Sequence, residues 1–598
     1  MSVFVRLVEF DDPSDKQAAF SDHSNRYYFP QIDAMQIPGS PLAYWLAGSH
    51  VIDLFKEQKM ADYGEAREGL ATGNNEIYLR FWWEVSRDRL RVKWFPHNKG
   101  GSARRWYGNR DYVVNWENNG QELQTRLHPS GKRVWAHNFN LDYLFRPMVT
   151  WSAVSTKSFM TRYFESGWLF DTGGLAYFPT SPTSFSPILA FTNTKLCDAL
   201  TTLLNPTHNF TSGDFARLPL PSRSQEAVHE LTREAISIAK VDWDSREASE
   251  SFLCSPLLTD YTAAPSKSAI DEILTETKWP RAVGSGRLIE AYHRYGKFCE
   301  TQLARLKRAE DSIHEAFIDG YELSHEFSSD VDLETLTILE DEIPTESRWA
   351  RHLELNAAEL MIQFISYGVG CIFGRYSLDQ DGLILANAGD DLKTYLSQIP
   401  EPTLRPDESG ILPITDDNDF SDDLPSQWRA FLRAAFGDEH YEENLRCLED
   451  GLGKRLRPYF LNGFSDDHVK RYKKRPIYWL ITSPKGTLQA LIYLHRYNRD
   501  TVNRFLNDYL RPYQRKLEAK RVSAEHVLTG GGSSQSEKTK AQKRIDEIRK
   551  ALEELSTWER DVVRPLAEKR IELDLDDGVK VNYGKLGAIL AKVKGLNA

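Results

Sequence analysis

The residues best suited to do chemistry lie in one stretch, KWFPHNKGGSARRWYGNRDYVVNWENNG, residues 93–120. It gathers Lys93, Lys99, Arg104, Arg105 and Arg110 among Trp94, Trp106, Tyr107, Tyr112 and Trp116. Over residues 80–162, fifteen Lys and Arg side chains face six Asp and Glu, a net of +9, in a chain whose formal charge is −11. A local basic face in an acidic chain suits a polyanion. Nucleic acid is the natural one, because phosphates supply charge-driven affinity while Arg, Lys, Asn and Gln read base edges. Asn98, Asn109, Asn115, Asn118, Asn119, Gln121 and Gln124 add amides suited to adenine. Gly100 and Gly101 would let backbone approach backbone closely. The alternative stays open at this point: the aromatics build a β core and the cations are solvated.

Other chemistries find little support. There is no GxxxxGK[ST] phosphate loop. The nearest approach to a cofactor loop, VGSGR (283–287), follows KWPRA with no strand signal before it. NPTH (205–208) lacks the Pro-Pro-aromatic core that holds an exocyclic amine in amino-methyltransferases. His128 and His137 are isolated, and no Ser/His/Asp arrangement or metal-ligand spacing stands out. The five cysteines are scattered without CxxC spacing, which fits a reducing cytosol rather than a disulfide framework. No apolar run approaches the roughly 18 residues of a membrane span. The start, MSVFVRLVEFDDPSDK, has no basic and apolar leader, so the expected location is cytoplasmic. RLVEFDDPS reads as a strand entering a loop: either an ordinary edge strand or an entry in mid-architecture.

The 598 residues are enough for three or four domains. Residues 1–65 mix a strand, a turn-rich patch (IPGSPLAYW) and a helix-like run. From 66 to 222, short aromatic runs such as IYLRFWWEV, YVVNW and LAYFP alternate with turn residues and predict strands, until a helical pattern at 187–204. From 223 the period becomes helical, with a long helix starting at RLIEAYHRYG and a buried apolar one at 355–378. Residues 379–425 read as an irregular connection. FSDDLPSQWRAFLRAAFG predicts a helix capped by Ser421 or Asp423. Residues 475–497 predict a strand, an SPKG turn and a helix. LTGGGSSQSEKTK (528–540) reads as a flexible tether, followed by a charged helix over about 537–571. ELDLDDGVKVNYGKL predicts a hairpin or irregular tail. The fold class is α+β: a β-rich domain at 66–222, then a helical spacer at 223–378 and a helical C-terminal domain at 379–598.

GLATGNNEIYLRFWWEV (69–85), the 93–120 stretch, TWSAVSTKSFMTRYF and GWLFDTGGLAYFP (150–179) together resemble the target-recognition part of PglX, the adenine-specific DNA methyltransferase family of BREX phage-defence systems. The similarity continues through EAFIDGYEL, FISYGVGCIFGRYSLDQDGLI, KRPIYWLITSPKGTLQALIYLHRY and IELDLDDGVKVNY, essentially along the whole chain. PglX proteins are about twice this length, and their N-terminal half carries the S-adenosyl-L-methionine and catalytic motifs. The resemblance therefore implies a C-terminal half without the methyltransferase Rossmann core. Residues 1–65 would be the connector and 66–222 the target-recognition domain. The chain would be a split subunit, a relic of a broken gene or a truncated piece.

The expected function is sequence-specific recognition of double-stranded DNA. The expected contacts are Thr72, Asn74, Asn75, Lys93, Lys99, Arg104, Arg105, Arg110, Lys132, Arg133, Lys157 and Arg162. No cofactor, metal or catalytic residue is expected in this chain; S-adenosyl-L-methionine would belong to a methyltransferase half, which with other BREX proteins would be the partner. Two rivals stand beside this reading. A non-catalytic scaffold of a defence complex would show no sequence preference on DNA, and a complete enzyme of unknown chemistry would bind S-adenosyl-L-methionine by itself.

Overall fold

The computed structural model describes residues 2–7, 10–46, 49–137, 139–223, 226–343, 355–530 and 534–596. It is a mixed α+β protein with several small sheets, none of them closed. A short hairpin, Ser2–Val5 with Arg26–Phe29, comes first.

Two four-stranded sheets dominate residues 64–179. One runs Gly64–Arg67, Gly174–Pro179, Met148–Ser152, Arg162–Phe164. The other runs Leu79–Phe81, Tyr112–Asn115, Trp94–Asn98, Leu169–Phe170. All these pairs are antiparallel except Trp94–Asn98 with Leu169–Phe170. Side chains from both sheets, among them Leu79, Val114, Met148, Phe164, Phe170 and Phe178, close one apolar core between them. The strands leading into and out of the turn at Asp171 belong to different sheets, so this turn joins the two sheets. Gly100 packs against it: its φ is +77°, and a Cβ there would stand 2.3 Å from the Gly173 carbonyl oxygen. Only glycine satisfies both conditions.

The helical pattern predicted at 187–204 is two helices, Phe185–Thr192 and Lys195–Leu204, broken where Thr194 caps the second. His229–Asp244 and the 33-residue Leu288–Gly320 pack side by side. The apolar helix Ala357–Phe373 is buried along most of its length and ends on left-handed Gly374. Leu424–Phe436 is capped by Asp423, one of the two caps read from the sequence. The largest apolar cluster draws residues from Phe29 to Tyr493, on both sides of positions 222 and 378.

Four expectations need correction. After the SPKG turn the chain forms a second strand, Gln489–Tyr493, not a helix. It sits between Tyr478–Thr482 and Ile411–Ile414, and the latter lies inside the segment read as an irregular connection. The tether is shorter than expected. Helix Arg511–Thr529 runs to its edge, and Ser534 and Glu537 form a capping box that starts helix Gln535–Trp558; residues 531–533 lie outside the described residues. Finally, ELDLDDGVKVNYGKL contains the helix Gly578–Leu586.

Candidate nucleic-acid interface

The basic stretch turns inward. Arg104 is buried, stacks on Trp243 with its guanidinium 5.1 Å from the ring centroid, and pairs with buried Asp242. Arg105 donates to Glu310 Oε2 at 3.0 Å, and the same carboxylate accepts the Trp106 Nε1–H at 2.7 Å. Burial raises the Glu310 carboxyl, against the pull of Arg105 and Trp106. Arg110 makes a two-pronged contact with Glu165, 2.7 Å on each side, and stacks over Tyr107, Phe164 and Trp168. Lys93 and the Trp94 indole both donate to Asp576, 482 or more residues away, at 2.7 and 2.6 Å. Lys99, Arg104, Arg105 and Arg110, expected as DNA contacts around Gly100 and Gly101, are each engaged by a carboxylate in this fold. Arg104, Arg105 and Arg110 are interior groups whose charges are met by carboxylates from 165 to 310, and Lys93 ties the β-rich segment to Asp576. The acidic remainder of the chain supplies the partners.

Lys99 is part of the turn that joins the sheets. Its Nζ donates to Asp171 Oδ2 at 2.7 Å, with His97 Nε2 at 3.4 Å and the Gly173 N–H on Oδ1 at 2.6 Å. Burial alone would raise the Asp171 carboxyl, but His97 and Lys99 outweigh it and hold it down at about 2. Lys99 is thus a counter-ion to Asp171, with part of its side chain left exposed.

The remaining expected contacts fall into two groups. The first is a rim built from segments 71–78 and 117–137. Ala71 and His137 exchange backbone hydrogen bonds at 3.0 Å, and the Tyr78 hydroxyl meets both Glu122 and Arg126. Thr72 is buried and donates to Asn75 Oδ1 at 2.6 Å, while Asn74 caps the short helix Asn75–Tyr78. Both therefore shape the loop, and Asn75 is exposed on it. Lys132 and Arg133 stand exposed on the hairpin tip around Gly131 and make no ion pair among the described residues. Beside them, Asn118, Asn119 and Gly120 form a left-handed turn with φ of 51°, 58° and 71°. Consecutive left-handed residues are costly for L-amino acids, and here the turn holds two asparagine amides in solvent. Gly120 itself cannot change, because a Cβ would stand 2.5 Å from the Trp116 ring. The second group is Lys157 and Arg162, which line a separate pocket.

One basic element escaped the reading of the sequence. KRYKKR (470–475) carries five cations in six residues, a run that charge patterning alone could have flagged. Lys473 and Lys474 are both left-handed, with φ of 51° and 61°. Lys473 pairs with Asp111 at 2.6 Å and Arg471 with Glu359 at 3.1 Å, while Lys470 and Lys474 are exposed. Lys473 and Arg475 line a groove of about 920 Å³ with Asn75, Lys99, Lys580 and Lys592. The groove thus reaches the rim at Asn75.

The segments nearest to methyltransferase motifs are otherwise engaged. After VGSGR, the N–H of Leu288 at the start of the long helix is taken by Asn444 Oδ1 at 2.7 Å, and among the described residues no parallel strand leads into it. The Asn205 amide of NPTH is closed on itself: Nδ2 donates to the Asn209 carbonyl and to Asp214, and Oδ1 accepts from Thr207. No described helix is long and apolar enough to cross a membrane.

Against known proteins, the chain is 34% identical, over an alignment 621 positions long, to the adenine-specific methyltransferase PglX of Lacticaseibacillus casei (strain Zhang), covering 98% of this chain and 48% of that protein. It is 33% identical over 627 residues to the adenine-specific methyltransferase BrxX of Escherichia coli O9:H4 (strain HS), covering 99% of this chain and 48% of the relative. The chain spans about half the length of these curated relatives. No family model matches it.

Proposed function

We propose that this chain is the DNA-recognition portion of a BREX-type adenine-specific methyltransferase, corresponding to the C-terminal half, with catalysis supplied by a methyltransferase half outside this sequence. The observation that carries the reading is the match of nearly the whole chain to about half of two proteins named adenine-specific methyltransferases. Double-stranded DNA is the partner, met first at the rim. Lys132 and Arg133 hold phosphate there, and Asn75, Asn118 and Asn119 present amides to base edges, where a good two-pronged contact is worth roughly 1–3 kcal/mol of discrimination. The groove with Lys473, Arg475, Lys580 and Lys592 extends the basic surface. S-adenosyl-L-methionine belongs to the other half, which would flip the target adenine out of the stack.

The test is competition between random and genomic duplexes for the purified chain, together with calorimetric titration of S-adenosyl-L-methionine. The reading expects sequence preference on DNA, no saturable cofactor binding, and methylation only after the N-terminal half is added. Cofactor binding by the chain alone would overturn it. The scaffold reading is favoured by one observation, the internal neutralisation of Arg104, Arg105 and Arg110. It predicts equal affinity for all duplexes.

A further inference from the structure

Three buried guanidiniums, those of Arg104, Arg110 and Arg162, lie close together in the recognition segment, and only two have carboxylates. Asp242 takes Arg104 and Glu165 takes Arg110. Arg162 is 1% exposed and pairs with no carboxylate among the described residues. Its Nη1 donates to the Arg104 carbonyl at 3.1 Å and its Nη2 to Ser152 Oγ at 3.3 Å, and its Nε finds no acceptor. A neutral carbonyl and a hydroxyl do not balance a full charge withdrawn from water.

Arg162 lines a pocket of about 290 Å³ that opens on the segment Ser155–Ser158. The walls are largely polar: Ser152, Ser155, Thr201 and His208 contribute, and Lys157 stands exposed without an ion pair among the described residues. The loop is fixed rather than slack. The Ser155 N–H donates to the His208 carbonyl at 2.9 Å, and Ser155 Oγ accepts the Lys157 N–H at 3.2 Å. Asp198 is the one acid on the lining, and its Oδ1 is occupied by the Phe159 N–H at 2.8 Å.

We propose that this pocket is a phosphate-class anion site, with Arg162 as the buried charge at its base and Lys157 as the cation at its rim. The ligand is a phosphate group, either from the backbone of DNA or from a small phosphorylated molecule. A dianion would supply the counter-charge that Arg162 lacks, and hydroxyls of the lining would complete its hydrogen bonds. The same deficit shows in the Arg162 guanidinium itself, which burial, then Arg104 and Arg110, lower to about 9. The DNA source rests on the reading given under Proposed function, whereas the anion chemistry does not.

The experiment titrates the full chain with inorganic phosphate against chloride of matched ionic strength, following bound phosphate by equilibrium dialysis. A duplex-binding assay runs in parallel with and without phosphate. The expected result is saturable phosphate binding, weakened at least five-fold in Lys157→Ala and lost in Arg162→Met, with phosphate displacing duplex. Lys157 is exposed, so its variant should keep the parent's melting temperature in phosphate-free buffer. That leaves a valid comparison even where Arg162→Met fails to fold. Phosphate binding that leaves duplex affinity untouched supports the anion site and assigns it to a small phosphorylated ligand. Duplex binding with no saturable phosphate binding overturns the site and leaves DNA recognition standing. Equal phosphate binding by the parent and Lys157→Ala also overturns it. Absence of both bindings sinks both proposals.

Discussion

Two regions of the segment 64–179 share a composition and differ in fate. Residues 104–110, RRWYGNR, and residues 118–133, NNGQELQTRLHPSGKR, both combine Arg with glycine and polar amides. The first is interior, with its three arginines paired to Asp242, Glu310 and Glu165. The second is a surface rim whose Lys132 and Arg133 have no carboxylate among the described residues. The difference is set by neighbours. RRWYGNR is dense in aromatics that must be buried, and they carry the adjacent arginines inward with them. Those arginines are tolerable there only because distant carboxylates are positioned to receive them. In the rim the apolar anchors are spaced out, so the cations stay in water. A run of cations therefore reports charge, while its aromatic spacing reports exposure.

The largest effect expected from this contrast is on stability. Arg105→Ala strands the Glu310 carboxylate in the core, and losing one member of a buried pair typically costs about 3–5 kcal/mol. Lys132→Ala should cost nothing measurable. Urea unfolding of the two variants side by side checks this. An Arg105→Ala protein as stable as the parent would mean that the pair is open to solvent and that the stretch could be a DNA face after all.

Next in size is the turn between the sheets. The Asp171 carboxyl is held at about 2, below its ordinary value of 3.8. A depressed folded-state value contributes stability that is present above pH 3.8 and lost as pH falls through about 2. The shift corresponds to about 2 kcal/mol. Unfolding measured from pH 5 to pH 2 should show that loss in the parent, and Asp171→Asn should flatten this part of the profile. Lys132 and Arg133 pair with no carboxylate among the described residues, so the profile of a Lys132→Ala, Arg133→Ala double variant should overlay that of the parent.

Much of this contrast was legible in the sequence, and some was not. The α+β class, the long helix beginning at Leu288 and the Asp423 cap followed from local periodicity and local capping chemistry. The strand Gln489–Tyr493 did not, because QALIYL fits either period. What decides it is pairing on both sides, with Tyr478–Thr482 across the SPKG turn and with Ile411–Ile414, some 75 residues earlier. The pairing of Arg104 with Asp242 and of Arg105 with Glu310 was invisible for the same reason: a sequence gives the charges, and only the fold gives the partners. The left-handed turn at Asn118–Gly120 lay between. ENNG announces left-handed backbone, but nothing local says that Trp116 would press on Gly120.

On the binding side, the rim cations should affect affinity modestly and uniformly. Lys132→Ala and Arg133→Ala should weaken all duplexes alike and each lower the salt slope by about 1. Arg105→Ala, compared at equal folded concentration, should leave that slope unchanged. An unchanged slope in both rim variants would move the DNA surface to the groove with Lys473, Lys580 and Lys592.

The smallest and most discriminating effect concerns Asn119. Its φ of 58° suits glycine, is tolerated by asparagine and strains alanine. Left-handed strain in alanine costs about 1–2 kcal/mol, while glycine loses part of its advantage through a more flexible unfolded chain. Asn119→Gly should therefore be more stable than Asn119→Ala by about 0.5–1 kcal/mol, a difference readable in urea midpoints. Both variants lack the amide. If that amide reads a base edge, both should lose discrimination between preferred and mismatched duplexes to the same degree, whatever their stabilities. If Asn119 serves only to make the turn, Asn119→Gly should bind like the parent and only Asn119→Ala should falter. Measuring stability and discrimination on the same two proteins thus separates the backbone role of this residue from its side-chain role. An Asn119→Gly protein with full discrimination would remove Asn119 from the set of base readers.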